Sequence, residues 1–139
     1  MDTTEAERLE RLRAIPLFDH LSDGSLSSVL DCVNEFDAAR GQVLVQPAEA
    51  GAGLFIVEEG TVVVELRDRQ VELGEGQFFG ELSLLTDTGH IARVRAKTQV
   101  RCLALRRDDF DRLLEAEPTM AMAMLKALAR RMAESAARS

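Results

Sequence analysis

Gly80-Glu81-Leu82-Ser83 is the run of residues in this chain best equipped to hold an anion. Backbone N–H groups at the start of a short helix have no partners within that helix and point outward together, so they bind phosphate or carboxylate readily. Gly80 follows the apolar pair Phe78-Phe79 and lacks a Cβ, which lets the backbone approach a phosphate closely. Glu81 supplies an acceptor for a sugar hydroxyl and sits favourably at the positive end of a helix. Taken alone, a Gly-Glu pair is ordinary turn punctuation, so the weight of this reading depends on what surrounds it.

The surrounding segment, Gly74 to Ala96, reads GEGQFFGELSLLTDTGHIARVRA. It resembles the phosphate-binding cassette of cyclic nucleotide-binding domains, which runs F-G-E-L-A-L-L, a few loop residues, then P-R-S/T-A-T-V-R-A. Phe79 to Leu85 match the first half, and Ala92, Val94, Arg95 and Ala96 match the end of the second. The resemblance implies a ligand-binding set of Phe79, Gly80, Glu81, Leu82, Ser83, His90, Ile91 and Ala92, with cAMP or cGMP as the ligand and no required cofactor. It covers about Leu12 to Met132. Among the departures from the pattern, Ser83 replaces a common alanine, Gly89 stands where proline is usual, His90 where arginine binds the phosphate, and Ile91 where a serine or threonine adds a hydroxyl.

Two of these departures change the chemistry. Arginine presents a planar, permanently charged fork that pairs two phosphate oxygens at once. Histidine has a shorter stem, fewer donors and an unperturbed pKa of about 6.5, so it is largely neutral at pH 7. A hydrogen bond to a charged group is worth roughly 1.5–3 kcal/mol net, so its loss lowers affinity by about ten- to a hundred-fold. Ile91 removes a second contact. If the chain is extended from Ile91 onward, alternation places Arg93 and Arg95 opposite to residue 90 and solvent-facing between inward Ala92, Val94 and Ala96. Neither then replaces the lost clamp. His90 itself lies in a polar turn, Thr86 to His90, where a histidine is ordinarily solvated; protonated, it would assist an anion as pH falls from 8 to 6. Two outcomes stay open: a sensor with weakened or altered nucleotide binding, and a degenerate module that keeps the roll for docking or dimerisation.

The elements that must position this cassette follow from the rest of the sequence. Thr4-Glu5-Ala6-Glu7 is a capping box opening a helix through Arg13 that ends at Pro16. Ile15 to Ser22 resembles the family's entry motif, in which Leu17, Phe18 and Leu21 plug the barrel and His20 lies on the surface. A second helix begins near Ser22 or Ser25 and keeps Leu26, Val29, Leu30 and Val33 on one face. From about residue 35 to 106 the chain is β, clearest at 43–45, 54–57, 61–66, 70–73 and 100–105. The turns between fall at Arg40-Gly41, Pro47 to Gly53, Glu59-Gly60, Asp68 and Gly74 to Gly76. Helix returns at 108–114 and, with Pro118 at its first position, over about 119–137. Many short strands imply a sandwich, barrel or jelly roll. The resemblance narrows this to a β-roll (a double-stranded β-helix jelly roll) with N-terminal helices over 4–33 and C-terminal helices over 108–137, all one domain of residues 1–139. It also implies that the last helix pairs with a partner, as in a homodimer, or closes over the ligand, transmitting occupancy by a population shift.

Composition excludes several classes. With 139 residues and 46% hydrophobic content, the chain can bury a core of ordinary globular size. A formal charge of −7 argues against nucleic acid as a partner. No apolar run reaches membrane-spanning length and the N-terminus, MDTTEAERLERL, is unlike a signal peptide. Cys32 and Cys102 lack metal or redox spacing and read as reduced, buried thiols of a cytoplasmic protein. His20 and His90, the only histidines, are too few for a jelly-roll metal centre, and no nucleophile motif is present, so an enzyme is not expected. Met120, Met122 and Met124 suggest a thioether site for Cu(I), but alternate helical residues diverge by about 200°, and packing explains them better. Met124, Leu125, Leu128, Ala129 and Met132 form one expected apolar stripe. Tryptophan and tyrosine are absent, leaving phenylalanine, arginine and aliphatic side chains to face any nucleobase.

Overall fold

The computed structural model describes residues 4–46, 53–81, 85 and 92–137. Its contacts group the chain into two compact units, Cys32–Phe110 on one hand and Met1–Asp31 with Asp111–Ser139 on the other.

The first of these is mainly β. Its strands are β1 (Asn34–Ala38), β2 (Val43–Val45), β3 (Gly53–Glu59), β4 (Val62–Glu65), β5 (Gln70–Leu73), β6 (Phe78–Phe79), β7 (Arg93–Ala96) and β8 (Val100–Arg106). They form two four-stranded antiparallel sheets, ordered β1-β8-β3-β6 and β2-β7-β4-β5. Sequence neighbours repeatedly fall in opposite sheets, as a roll requires. The core between them collects Ala38, Val57, Phe79, Val100 and Cys102 from one sheet, and Val45, Val62, Leu73, Val94 and Ala96 from the other. Val62 faces Leu73 and Ala96, and Val64 faces Val71 and Val94, so the period-two alternation of β4, β5 and β7 delivers one apolar face inward. The mainly β fold with flanking helices, expected from the spacing of short apolar runs, is the one observed.

Strands β1, β6 and β7 lie outside the segments the spacing made clearest. β1 reads Asn-Glu-Phe-Asp-Ala, whose low β propensity hides it; Arg101 of β8 holds it by a 2.7 Å bond to Glu35. Arg101 stays above the ordinary guanidinium range: burial opposes its charge, but Glu35, Glu58 and Asp37 together outweigh that. Gly53 corrects the expected turn, since it is the first residue of β3. A Cβ there would lie 2.6 Å from the Leu105 carbonyl oxygen, so close strand packing explains this glycine. The rest of that turn, residues 47–52, lies outside the described residues.

The helical unit contains α1 (Glu5–Arg13), most of α2 (Asp23–Cys32), the greater part of α3 (Arg107–Ala116) and α4 (Pro118–Ala137). The Thr4 hydroxyl accepts from the Glu7 N–H at 3.2 Å, and Ser22 likewise accepts from the Ser25 N–H at 3.2 Å, which fixes both helix starts. Leu17, Phe18 and Leu21 are buried in a run of tight turns, and Arg13 is bonded to Asp23. His20 is exposed beside Asp19. α3 begins one residue earlier than expected, at Arg107, directly from the end of β8, and Pro118 opens α4. Among the described residues, no helix is long and apolar enough to cross a membrane.

Two expectations fail on burial. Cys102 is buried but Cys32 is only partly so; neither forms a disulfide. The stripe proposed for α4 is two faces: Met120 and Met124 are buried, whereas Met122, Leu125 and Met132 are 52%, 60% and 74% exposed. A hundred degrees per residue separates 124 from 125, and composition alone does not say which face is covered.

Candidate functional site

Strand β6 is two residues long and stops just before Gly80, and everything described about the cassette follows from that termination. Phe78 and Phe79 pair with Ile56 and Phe55 of β3. Phe79 is buried and its ring stacks on Phe55, with centroids 5.1 Å apart and planes 13° from parallel. Phe55 in turn meets Phe36 of β1 edge-to-face at 6.1 Å. A row of three phenylalanines therefore anchors the start of the cassette to the inner side of the sheet.

Gly80 then takes φ of +93°, a left-handed conformation that L side chains rarely adopt. A Cβ on Gly80 would lie 2.5 Å from the Gly53 carbonyl oxygen and 3.3 Å from Phe55 Cδ2. Both the dihedral and the space exclude any other residue without backbone movement. The next residue, Glu81, is helical and buried, at 7% exposure. Burying a carboxylate costs several kcal/mol of hydration unless its surroundings return it, so a buried Glu is retained for a reason of structure or ligand. Leu85 is half exposed.

At the far end of the cassette, Ala92, Val94 and Ala96 are buried, and Arg93 and Arg95 project to the other side of β7. Arg93 Nε donates to Gln46 Oε1 at 3.1 Å. Arg95 donates from Nε to Glu65 Oε1 at 3.3 Å and from Nη1 to the Gly41 carbonyl oxygen at 2.9 Å. Lys97 completes the row with a 2.6 Å bond to Glu72. The cations nearest in sequence to the cassette are thus committed to the outer face of the sheet, as alternation predicts.

Of the eight residues singled out from sequence, Phe79, Gly80, Glu81 and Ala92 are described, and Leu82, Ser83, His90 and Ile91 lie outside the described residues. Phe55 and Gly53 were not singled out, although both contact Gly80. Their only sequence signal is an aromatic and a glycine two residues apart in an apolar strand. Among the described residues, no group of three or more His, Cys, Asp or Glu side chains is arranged to hold a metal ion.

Residues 35–117 match the family model of the cyclic nucleotide-binding domain. The chain is 36% identical over 119 residues to a cyclic nucleotide-gated potassium channel of Rhizobium etli, covering 85% of this chain and 34% of the channel. It spans between 27% and 35% of the length of three relatives, this channel included. Among solved structures it is similar to the catabolite activator protein of Thermus thermophilus, at 28% identity and TM-score 0.76 over 88% of this chain and 61% of that one. The N-terminal domain of a transcriptional regulator from Streptomyces coelicolor is 35% identical, with TM-score 0.64 over 90% and 94% of the two chains.

Proposed function

Because this chain belongs to the cyclic nucleotide-binding domain family, we propose that its roll is a regulatory module that receives cAMP or cGMP with weakened affinity and performs no catalysis. In this reading the phosphate sits against the backbone at Gly80 to Ser83, and the ribose hydroxyl bonds Glu81. Phe79 and Ala92 shape the floor, while His90 and Ile91 occupy the positions where a charged fork and a hydroxyl would close the clamp.

The observation that carries the reading is Gly80. Its left-handed backbone, with no room for a Cβ against Gly53 and Phe55, holds a chain approach that a side chain would block, directly before a buried carboxylate. The weakening is supported by Arg93 and Arg95, which are engaged by Gln46, Glu65 and Gly41 and leave the anion to backbone donors and a histidine. Calorimetric titration with both nucleotides tests this. His90→Arg with Ile91→Ser should raise affinity by about ten- to a hundred-fold, the value of one restored charged pair. A double variant that binds no better than the parent sinks the clamp argument.

One observation favours a second reading, in which the module is an interaction or dimerisation domain. Met122, Leu125, Ala129, Met132 and Ala136 recur at intervals of three and four along α4, the spacing of a two-helix seam, and all are exposed. A second copy of this chain, meeting it through the same stripe, would cover them. Sedimentation of the full chain separates the readings: a dimer that binds no nucleotide supports the second alone.

A further inference from the structure

We propose that Arg95, on the outer face of the roll, is a positioning residue that sets the far end of the ligand cassette; this rests on the nucleotide-binding reading above. The cassette leaves one sheet and enters the other. Phe79 ends β6, at the edge of the sheet β1-β8-β3-β6, and Arg93 opens β7, inside the sheet β2-β7-β4-β5. Donors carried by a chain that crosses between two sheets are spaced by where its two roots stand, so both roots bear on how well an anion fits.

The first root is held by close packing, with Phe79 stacked on Phe55 and Gly80 against Gly53. The second root is held unevenly. Toward β4, four consecutive pairs run in register from Val62↔Ala96 to Glu65↔Arg93. Toward β2, the pairs are Val43↔Arg95 and Val45↔Val94, and the register shifts between them. A ladder interrupted in this way bends its strand and leaves its alignment weakly specified.

Arg95 ties the irregular side to the regular one. Its Nη1 donates to the Gly41 carbonyl oxygen at 2.9 Å, in the turn that enters β2, and its Nε donates to Glu65 Oε1 at 3.3 Å, on β4. The Gly41 N–H in turn donates to the Ala96 carbonyl oxygen at 2.8 Å, so consecutive residues of β7 grip both polar atoms of Gly41. The planar guanidinium makes both bonds from one side chain, which an ammonium on a flexible stem does less well. Arg95 faces away from buried Val94 and Ala96, so it acts on the ligand through the placement of β7 and of Ala92, three residues before it. Lys97 is the internal comparison: it bonds Glu72 at 2.6 Å, but that partner belongs to β5, on the side away from β2.

The test measures cAMP and cGMP affinity of the full chain by calorimetry, at a temperature where circular dichroism shows each variant folded. Arg95→Met keeps the stem and removes the fork; it should weaken the nucleotide the parent binds by about three- to tenfold. Arg95→Lys restores the charge without the fork and should recover part of that loss. Adding Glu65→Gln to Arg95→Met should cost nothing more, because the bond they share is already gone. Lys97→Met breaks an ion pair on the same face and should leave affinity within about twofold of the parent. Should Arg95→Met not fold, Glu65→Ala should still weaken binding by more than about twofold, and Glu72→Ala should not. Arg95→Met, or Glu65→Ala in its place, that binds like the parent overturns the proposal, as does an equal loss for the Lys97–Glu72 pair; nucleotide binding itself then stands. A parent chain that binds neither nucleotide at millimolar concentration overturns both.

Discussion

Replacing Gly80 by alanine should cost markedly more than replacing Gly41, although the two share nearly the same backbone. Their φ angles are +93° and +88°, so each pays the left-handed penalty of an L residue, about 1–2 kcal/mol. Alanine also restricts the unfolded chain, stabilising both variants by about 0.4–1 kcal/mol, and this cancels in the comparison. The surroundings differ. A Cβ at Gly41 meets nothing within 4 Å, whereas at Gly80 it meets the Gly53 carbonyl oxygen at 2.5 Å. That oxygen belongs to the first residue of β3, whose backbone is registered against Arg106 of β8, so it cannot retreat without disturbing the sheet. Overpacking of this kind costs roughly 1–3 kcal/mol, giving about 1 kcal/mol for Gly41→Ala and about 2–4 kcal/mol for Gly80→Ala. Both glycines belong to the Cys32–Phe110 unit, so urea unfolding followed by one spectroscopic probe compares them fairly. The midpoints should separate with unchanged slopes. Equal losses within about 0.5 kcal/mol would refute the close approach on which the proposed phosphate cradle rests.

The remaining predictions concern other parts of the molecule. Burial, with Glu58 and then Asp37, pushes the Cys102 thiol from 9.0 to about 11. The folded state keeps that proton longer than the unfolded chain, so stability is full below pH 9 and falls as pH rises from 9 toward 11, by up to about 1.4 kcal/mol per pH unit. Cys102→Val should flatten that limb of a pH–stability curve, and an unaltered limb would contradict the assignment. In the native protein at pH 8 the thiolate is roughly one part in a thousand, so a thiol reagent should label Cys32 well before Cys102. If His90 assists the anion when protonated, nucleotide affinity should rise between pH 8 and pH 6, and a flat calorimetric profile removes that role. Leu125→Glu with Met132→Glu should lower the sedimenting mass of a dimer to that of a monomer while leaving the melting temperature of the fold nearly unchanged, since both side chains lie exposed.

How far the sequence carried depended on whether a residue's role was local. The capping Thr4, Ser22 as a helix start, Pro118 as a first helical residue and the alternation around Val94 are decided by neighbours within one turn or one pleat, and each stands where the pattern placed it. Strand β1 depends on a long-range partner instead. Its polar residues gain order by pairing with β8, and nothing within Asn34–Ala38 announces that. The same distinction separates the two halves of the candidate site. Gly80 was legible as a glycine that a phosphate would favour, but the reason it must be glycine is Gly53 and Phe55, which lie more than twenty residues away along the chain.

This distance dependence also bears on how the roll would keep its shape with the weakened phosphate clamp proposed above. The fold rests on the apolar face shared by Val57, Val62, Phe79, Val94, Val100 and Cys102, none of which needs a ligand to be buried. The cassette's ends are pinned independently: Phe79 by stacking on Phe55, and β7 by its pairing with both β2 and β4. In the proposed reading, an arginine-to-histidine exchange at position 90 lowers nucleotide affinity, while the two described anchors hold the ends of the cassette to the sheets. On that reading nucleotide affinity changes at His90 and Ile91, while the two arginines that follow stay fixed by their partners on the outer face. The restored clamp of His90→Arg and Ile91→Ser should accordingly change nucleotide affinity and leave the unfolding midpoint of the unliganded chain within about 0.5 kcal/mol of the parent, a separation that a structurally coupled pocket would not permit.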